Sequence, residues 1–284
     1  MKVFLIGATG YIGSVVAEAL LAAGHEVTGL SRSMESDDTL RSCGVNPVRA
    51  DLKNPATLTV PADGIIFAGS TNDGPVDMNA MRALLTGKPF IYTSGIWILG
   101  DTHGQVFDES SPVNPVALVA WRPEAERMAL AGGGVVIRPA LVYGRAAGLL
   151  TMMVQSAKET GAARYVGDGE TRWPLVHVED LAELYVLALE KAKPRSMYMA
   201  ADGPSYKVRE IAEAASYGAD AAGATQAVPV EEARKQYGAL VDALVLDQQI
   251  SGEKATRELG WKPHGASVLE ELRYGSYAQP RNNP

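Results

Sequence analysis

The chain has 284 residues with 46% apolar content, which is enough for a doubly wound domain with a sizeable core and a smaller lobe. Its net charge of −7 and pI of about 5.2 offer no basic surface, so we expect neither nucleic acid nor an anionic membrane as a partner. The single cysteine, Cys43, cannot form an internal disulfide and suits the reducing cytoplasm, where we expect it to be a small buried apolar residue.

The chain begins with a short apolar run, Val3 to Ile6, followed by glycines at GxxGxxG spacing. The run is too short for a signal peptide or a membrane span, and it is typical of a strand buried on both faces of a parallel sheet. Gly7 permits a tight turn, Gly10 lets a pyrophosphate approach the backbone, and Gly13 lets the next helix pack on the sheet. A helix-capping turn in any α/β protein is the alternative. The residues predicted to contact a dinucleotide here are Gly7, Thr9, Gly10, Tyr11, Ile12 and Gly13.

The next residues predict a helix and a second strand. Apolar residues recur at helical spacing, at Ile12, Val16, Ala19, Leu20 and Ala23. Gly24 ends this helix before a strand from Glu26 to Leu30. Strand, turn, helix and strand occupy about thirty residues, the length of one βαβ unit. This context favours the dinucleotide interpretation over the capping turn.

The end of the second strand indicates which dinucleotide is preferred. An NAD site usually has an acidic residue there, which holds the ribose 2′-hydroxyl. This chain has Ser31, Arg32 and Ser33 instead, and these side chains suit the 2′-phosphate of NADP. Arg32 as a solvated loop cation is the alternative, but it leaves the missing acid unexplained. We therefore predict NADP as the cofactor, with NAD less favoured.

Two further strands, Val45 to Arg49 and Ile65 to Ala68, end in residues that suit a ligand. Their carboxyl ends lie where an open α/β sheet binds its ligand. Asp51 is predicted to accept a hydrogen bond from the adenine amino group while Leu52 packs on the ring; a helix N-cap is the alternative for Asp51. The predicted cofactor contacts after these strands are Asp51, Leu52, Ala68, Gly69 and Ser70.

Several ordered segments together resemble the short-chain dehydrogenase/reductase superfamily, in its extended or atypical type, which includes the NAD-dependent epimerase/dehydratase-like proteins. The segments are GATGYIG at 7–13, ADL at 50–52, FIYTSGIWILG at 90–100, VVIRPALVYG at 135–144, GDGETRWPLVHVEDLA at 167–182 and ELGWKP at 258–263. The resemblance covers nearly the whole chain. It implies an α/β fold, a Rossmann-type doubly wound parallel sheet with a smaller C-terminal substrate lobe. It also implies that Pro139 and Ala140 lie near the nicotinamide end of the cofactor.

The chain differs from the family pattern at the positions of the family's catalytic residues. The family uses a Ser or Thr after the fifth strand and a Tyr-x-x-x-Lys pair on the next helix, in which Tyr transfers the proton and Lys lowers its pKa. Here Gly95 falls at the usual hydroxyl position, with Ser94 beside it. The preferred alignment places Leu118 at the tyrosine and Arg122 at the lysine.

A shifted register gives Val116 and Ala120 instead, so both family residues are missing in either case. The candidate catalytic residues that remain are Ser94, Arg122 and His103. Arg122 can hold a ribose or phosphate but cannot act as a general base, and Ser94 can donate to a substrate carbonyl. A surface cation and a satisfied strand-end hydroxyl are the structural alternatives for these two residues.

The substrate-binding candidates are Arg172 and Trp173. The family's sugar-nucleotide enzymes often have an arginine that corresponds to Arg172, and its guanidinium suits a diphosphate. Trp173 replaces a common acid, and Leu141 stands where such epimerases often have Asn. These differences favour a mixed apolar and anionic substrate pocket. Pairing with a neighbouring acid, such as Asp168, is the alternative for Arg172.

The lobes are predicted to interleave along the chain. Residues 1–145 form the NADP-binding Rossmann domain, to which 176–200 return, and residues 146–175 and 201–284 form the substrate-binding lobe, ending in a frayed tail at 279–284. The predicted function is that of an NADP(H)-dependent oxidoreductase for a small carbonyl, hydroxyl or sugar-nucleotide-like substrate. A non-catalytic NADP(H) sensor is the alternative. The expected partners are a small-molecule substrate and, as an open alternative to a monomer, a second copy in a homodimer.

Overall fold

The computed structural model describes residues 1–279, so the predicted tail lies outside the described residues apart from Gln279. Within that range we number the strands β1 (Lys2–Ile6), β2 (Glu26–Ser31), β3 (Asn46–Arg49), β4 (Gly64–Phe67), β5 (Phe90–Thr93), β6 (Val106–Phe107), β7 (Val135–Pro139), β8 (Leu141–Tyr143), β9 (Ala163–Val166), β10 (Arg172–Trp173), β11 (Leu175–His177), β12 (Met197–Ala200), β13 (Tyr206–Lys207), β14 (Thr225–Val228) and β15 (Gln249–Ile250).

The α-helices of the same range are α1 (Tyr11–Ala22), α2 (Met34–Ser42), α3 (Gly74–Leu84), α4 (Arg122–Ala131), α5 (Thr151–Thr160), α6 (Val178–Lys191), α7 (Val208–Gly218), α8 (Val230–Tyr237), α9 (Val241–Leu244), α10 (Glu253–Leu259) and α11 (Val268–Tyr274). Short 3₁₀ helices occupy Pro55–Leu58, Ile96–Leu99, Ala117–Val119 and Gly238–Leu240.

The central sheet has seven parallel strands in the order β12-β7-β5-β4-β1-β2-β3. The chain moves outward from β1 to β3, then returns to the other side of β1 through β4. The strand order therefore reverses between β1 and β4, which is where a sheet of this kind binds its ligand. The predicted Rossmann-type α/β fold is confirmed, and so is the predicted βαβ unit at the start of the chain.

Both faces of this sheet are covered, which explains why its strands are continuously apolar. Side chains alternate along β1: Val3 and Leu5 pack in one core cluster with α1 and α6, while Phe4 and Ile6 pack in another with α3 and α4. All four side chains are almost completely buried. The glycine turn that follows β1 is thus held by a rigid strand.

A separate core cluster lies in the smaller part of the molecule and contains residues of α5, β9, α7 and α11. Four two-stranded sheets complete the described fold: β10-β13, β11-β8, β14-β9 and β15-β6. The segment after β11 returns to the main sheet, because α6 packs beside α1 and β12 pairs with β7. The predicted boundaries between the two lobes stay a prediction.

Two surface features follow from the same description. Cys43 is exposed at the C-terminal end of α2, so the expectation that it is buried was wrong. Helix α2 is polar and lies at the sheet edge, with Leu40 as its one fully buried side chain. Over residues 1–279, no helix combines the length and the apolar character needed to cross a membrane.

Candidate functional site

The turn after β1 has no room for side chains. Gly7 has a φ of +91°, a left-handed conformation that favours glycine, and a Cβ built there would lie 2.7 Å from the backbone nitrogen of Gly69. A Cβ at Gly13 would overlap the carbonyl oxygen of Gly7. The loops after β1 and β4 therefore touch through their backbones. This contact places Ala68, Gly69 and the glycine turn together at the reversal of the sheet order.

The same turn presents the N-terminus of α1. Gly10 is the N-cap in an extended conformation, and no side chain caps the helix. Thr9 and Gly10 are exposed, while Tyr11 and Ile12 are half-buried. The Tyr11 hydroxyl donates to the Gly144 carbonyl oxygen at 2.8 Å, which connects α1 to the segment after β8. A helix N-terminus with exposed backbone N–H groups is suited to a phosphate.

A pocket of about 330 Å³ lies beyond the carboxyl ends of β2 and β3 and contains Ser31, Arg32, Arg49 and Asp51. Arg49 is held by Asp37, to which its Nη2 donates at 2.9 Å. The pocket thus has two guanidinium groups, of which the sequence analysis named only Arg32. Arg49 is the last residue of β3, and its position at a strand's carboxyl end was the signal that could have identified it.

The serines beside Arg32 support the local backbone. The Ser31 hydroxyl donates to the Ser33 carbonyl oxygen at 3.0 Å, and the Ser33 hydroxyl accepts from the Ser36 N–H at 3.1 Å as the N-cap of α2. Both hydroxyls therefore already have hydrogen bonds within the protein. They fix the position of the loop that presents Arg32.

Asp51 does not act as a helix N-cap. Its carboxylate accepts the Lys53 N–H at 2.9 Å in a tight turn, and the 3₁₀ helix Pro55–Leu58 has Asn54 as its N-cap. Leu52 is mostly buried and lies in a separate groove that also contains Val76 of α3. The predicted adenine contacts thus lie on the ligand side of the sheet, next to the Arg32 pocket.

The loop after β4 is held by one buried carboxylate. Asp77 of α3 is fully buried and accepts from the Ser70 hydroxyl at 2.5 Å, from the Thr71 N–H at 2.9 Å and from the Thr71 hydroxyl at 2.7 Å. This network fixes a loop in which Asn72 has a φ of +60° and borders a cavity of the site. Ser70, a predicted cofactor contact, therefore supports the loop through its side chain.

That cavity has a volume of about 610 Å³ and lies between the start of α1, the loop after β4 and the carboxyl ends of β5 and β7. Its polar side chains are Asn72, Ser94 and Arg122. Its walls are apolar and include Ile12, Ile96, Trp97, Leu118, Trp121, Pro139, Ala140, Leu141 and Leu240. Such a volume and lining are typical of a site for a small organic molecule. We call this space the central cavity.

Ser94 and Arg122 are fixed beside each other at the end of β5. The Ser94 N–H donates to the Ile137 carbonyl oxygen at 2.8 Å, and Arg122 donates from Nη1 to the Thr93 carbonyl oxygen at 3.0 Å. The Arg122 guanidinium also lies 5.1 Å from the centre of the Trp121 ring. Ser94 is buried, and its Oγ has no hydrogen-bond partner among the described residues. The alternative of a satisfied strand-end hydroxyl is therefore wrong for Ser94.

The register of α4 is fixed one turn beyond Arg122. Glu126 forms a buried bidentate ion pair with Arg138 of β7. Arg138 donates from Nε to Glu126 Oε1 at 2.9 Å and from Nη2 to Glu126 Oε2 at 2.7 Å. A planar pair of this kind fixes orientation as well as distance. Arg122, the first residue of α4, and Leu118, in the 3₁₀ helix Ala117–Val119 before it, both line the central cavity, whereas Val116 and Ala120 do not.

Two buried tyrosines lie behind this wall. The hydroxyls of Tyr185 and Thr93 are 2.6 Å apart, and Tyr92 is buried within β5. Burial raises the pKa of both tyrosines well above the ordinary value. Neither lines the central cavity; among the described residues, no Asp, Glu, His, Lys, Cys or Tyr does.

Three predicted residues lie away from the central cavity. His103 is in an exposed turn with its Nδ1 3.1 Å from an Asp101 carboxylate oxygen. Arg172 donates from Nη1 to the Ser205 carbonyl oxygen at 3.0 Å, so it does not pair with Asp168 in the described structure. Trp173 is buried in the smaller core cluster and borders a different, narrow pocket. The structure therefore brings Ser94, Arg122 and Pro139 together at the central cavity. His103, Arg172 and Trp173 lie elsewhere.

Several cavity residues escaped the sequence analysis. Asn72 follows β4 at the ligand side of the sheet, so its position could have identified it. Trp97 lies within the segment 90–100 and Trp121 directly before Arg122, but the sequence analysis gave neither residue a role. Leu240 belongs to a 3₁₀ helix far along the chain, and no local pattern connects it to the cavity.

Known proteins resemble this chain in the region of the glycine turn and the central sheet. The model of the NAD dependent epimerase/dehydratase family matches residues 3–84 and 78–200. An uncharacterised protein of Schizosaccharomyces pombe is 32% identical, over 98% of this chain and 100% of its own length. The 4-hydroxy-2-methyl-3-oxo-4-farnesyl-3,4-dihydroquinoline-1-oxide ketoreductase of Stigmatella aurantiaca is 26% identical, over 74% of this chain and 71% of its own.

A solved structure shares the fold at lower identity. The dTDP-glucose 4,6-dehydratase of Bacillus anthracis, determined in complex with NAD, has a TM-score of 0.78 at 18% identity, covering 97% of this chain and 95% of its own. The family match spans more than half of the chain, in the part that contains the glycine turn and the seven-stranded sheet. This protein therefore belongs to the NAD-dependent epimerase/dehydratase family.

Proposed function

We propose that this protein is an NADP(H)-dependent oxidoreductase that acts on a small, largely apolar carbonyl or hydroxyl compound held in the central cavity. The observation that carries the proposal is the cavity itself. It brings a hydroxyl without a partner, Ser94 Oγ, and a fixed cation, Arg122, to the carboxyl ends of the strands where the family binds its cofactor.

The residues present fit a dinucleotide. Gly7 and Gly69 are in contact and have no side chains, so the backbone there is open to a pyrophosphate. The first turn of α1 has no side-chain cap, and its N–H groups are suited to the same pyrophosphate. In this proposal Arg32 and Arg49 hold a 2′-phosphate, since a guanidinium binds phosphate through paired hydrogen bonds. In this proposal the adenine is contacted by Asp51, which lines the same pocket, and by Leu52 in the neighbouring groove.

At the other end, Pro139 and Ala140 border the central cavity together with Ser94 and Arg122. Reduced nicotinamide bound there supplies a hydride. Ser94 and Arg122 bind the substrate oxygen and orient the carbonyl carbon, and the apolar walls exclude water. Leu240, from the C-terminal part of the chain, closes one side of the cavity, which supports a substrate-covering role for the predicted smaller lobe.

A sugar nucleotide fits this cavity less well than an apolar compound. Arg172, the residue that would bind a diphosphate, is engaged with Ser205 and does not line the central cavity. Leu118, Leu141 and Leu240 offer a sugar no hydrogen bonds, and polar groups buried without partners are costly. The ketoreductase relative supports the same preference by its name, which describes a substrate with a farnesyl chain.

Calorimetry followed by a turnover assay tests the proposal. We expect NADP⁺ to bind more tightly than NAD⁺, and we expect NADPH oxidation with at least one member of a panel of apolar carbonyl compounds. Equal affinity for the two dinucleotides would contradict the assignment of Arg32. Tight NADPH binding without turnover on any apolar or sugar-nucleotide substrate would favour a non-catalytic sensor. That alternative agrees with a cavity lined, among the described residues, by no Asp, Glu, His, Lys, Cys or Tyr.

A further inference from the structure

The polar side chains that line the central cavity suit an anion, and among the described residues none of them is a suitable proton donor. Its polar side chains in the described structure are an amide, a hydroxyl and a guanidinium, those of Asn72, Ser94 and Arg122. A serine hydroxyl and a guanidinium hold their protons far too tightly for general acid catalysis near neutral pH. The same two groups are strong hydrogen-bond donors to an oxyanion.

Simple ketones need a proton when they accept a hydride. Their product is an alkoxide, a strong base, so a positioned acid accelerates the reaction substantially. A quinone differs, because the electron pair enters a conjugated ring system and gives an aromatic phenolate-type anion that is a much weaker base. This anion is stable long enough to take its proton from water.

We infer that the substrate is a quinone-type acceptor, whose anionic product is held by Arg122 and Ser94 and protonated by solvent. The inference rests on the proposed function and narrows its substrate class. The C4–H bond of dihydronicotinamide breaks and its hydrogen passes to the quinone as a hydride, with both electrons of the bond. The quinone becomes a hydroquinone monoanion. One proton from water then gives the neutral hydroquinone, and the dinucleotide leaves in its oxidised form.

The walls of the cavity suit a flat conjugated ring. Trp97 and Trp121 both border it, and aromatic rings pack favourably against one another in offset or edge-on arrangements. Leu118 takes the place of a hydroxyl-bearing side chain and leaves that side apolar. Arg122 is held by the Thr93 carbonyl oxygen, so its charge does not need to reorganise when the anion forms.

A matched pair of substrates tests the inference. The compounds 1,4-naphthoquinone and 1-tetralone share a bicyclic skeleton, but only the first gives a stabilised anion. With NADPH labelled with deuterium at one or the other C4 position, we expect turnover of the quinone above the enzyme-free rate, with an isotope effect from one label only. We expect a rate for the quinone that is flat between about pH 6 and 9, because no acid of the cavity titrates there.

Variants of Arg122 and Ser94 test whether these two hydrogen-bond donors determine the rate of quinone reduction. Arg122→Gln and Ser94→Ala should each lower kcat for the quinone by roughly 10²-fold, the effect of removing one oxyanion donor. Arg122→Lys keeps a cation and should recover part of that loss. Arg127→Gln is the matched control, because Arg127 is exposed on the same helix and its Nε donates to the Pro123 carbonyl oxygen instead.

A binding measurement without cofactor gives an independent readout. The coloured phenol 4-nitro-1-naphthol should bind as its anion, so its pKa should fall on binding to the wild type and to Arg127→Gln, and not on binding to Arg122→Gln. Reduction of 1-tetralone at a rate similar to that of the quinone would overturn the inference and leave the proposed function intact. Absence of turnover with both compounds would overturn the inference, whereas the proposed function is decided by the wider substrate panel. An unshifted phenol pKa would remove Arg122 from the anion site.

Discussion

The two ends of the candidate site are built in different ways. At the glycine turn the geometry is a property of the backbone, since Gly7 contacts Gly69 and Gly13 contacts Gly7 without space for a Cβ. At the central cavity the geometry is a property of side chains, of which Ser94, Leu118 and Arg122 are the most informative. The first end allows almost no substitution, whereas the second can change its chemistry without changing the fold.

In the alignment predicted from the sequence, this difference explains how the chain keeps the family's glycine turn without the tyrosine and lysine. The ion pair of Glu126 with Arg138 orients α4 whichever side chain occupies position 118 or 122. Cofactor binding and fold are therefore linked, while the proton chemistry is separable from both. The predictions below test this separation.

The largest effect is expected at the glycine turn. Gly13→Val would overlap the Gly7 carbonyl oxygen and should destabilise the fold by about 3 kcal/mol or more, measured by chemical denaturation. Gly10→Val is the matched control, because its Cβ would lie 3.2 Å from the same oxygen at an ordinary φ of −85°. It should fold and lose dinucleotide binding. A stable Gly13→Val protein would contradict the backbone contact, and unchanged binding by Gly10→Val would place the dinucleotide elsewhere.

The next effect tests whether the chemistry can be exchanged on a constant fold. The double variant Leu118→Tyr/Arg122→Lys restores the family pair and should raise reduction of 1-tetralone by roughly 10²-fold or more, because it supplies a proton donor. Arg122→Lys alone should give no gain with the ketone. If the double variant binds NADPH normally and stays inactive with the ketone, the alignment of Leu118 with the family tyrosine is wrong.

The proposed preference for NADP is a side-chain feature that can be separated from the glycine turn. Arg32→Ala should weaken NADP⁺ binding by about 10- to 100-fold, the usual range for losing a charge-assisted hydrogen bond, while NAD⁺ affinity changes little. Arg49→Ala should have a similar but smaller effect, since Arg49 is also engaged with Asp37. Calorimetry with both dinucleotides measures this. An equal loss of both affinities would indicate a general electrostatic effect.

The smallest effect concerns stability beside the cavity. Ser94→Ala removes a buried hydroxyl without a partner among the described residues, so stability should stay within about 1 kcal/mol or rise slightly. Thr93→Val removes the partner of the buried Tyr185 hydroxyl and should cost about 1–3 kcal/mol. Equal losses in the two variants, measured by thermal unfolding, would show that Ser94 has a structural hydrogen bond after all.

The sequence predicted the glycine turn and the parallel sheet better than the lining of the central cavity. A glycine at a positive φ or a close backbone approach leaves a direct signal, and the apolar strands predicted the sheet. Arg49 was missed because it was counted as the end of a strand, and Leu240 because only tertiary packing brings it to the cavity.

Arg172 and His103 are residues that the sequence analysis proposed for the site but that the structure places away from the central cavity. Both matched a plausible pattern of chemistry, but the structure gives Arg172 a carbonyl partner at Ser205 and leaves His103 exposed beside Asp101. A residue type at a suitable spacing does not determine where its side chain points. The choice between Leu118 with Arg122 and Val116 with Ala120 was likewise open in the sequence, and only the first two residues line the central cavity.

A crystal structure of the complex with NADP⁺ tests the central claim most directly. The account predicts that nicotinamide C4 faces the central cavity beside Pro139, with Ser94 Oγ and the Arg122 guanidinium within hydrogen-bond reach of one oxygen site near C4. It also predicts that the 2′-phosphate contacts Arg32. A nicotinamide ring outside the cavity, or an acidic side chain or histidine within reach of C4, would contradict it.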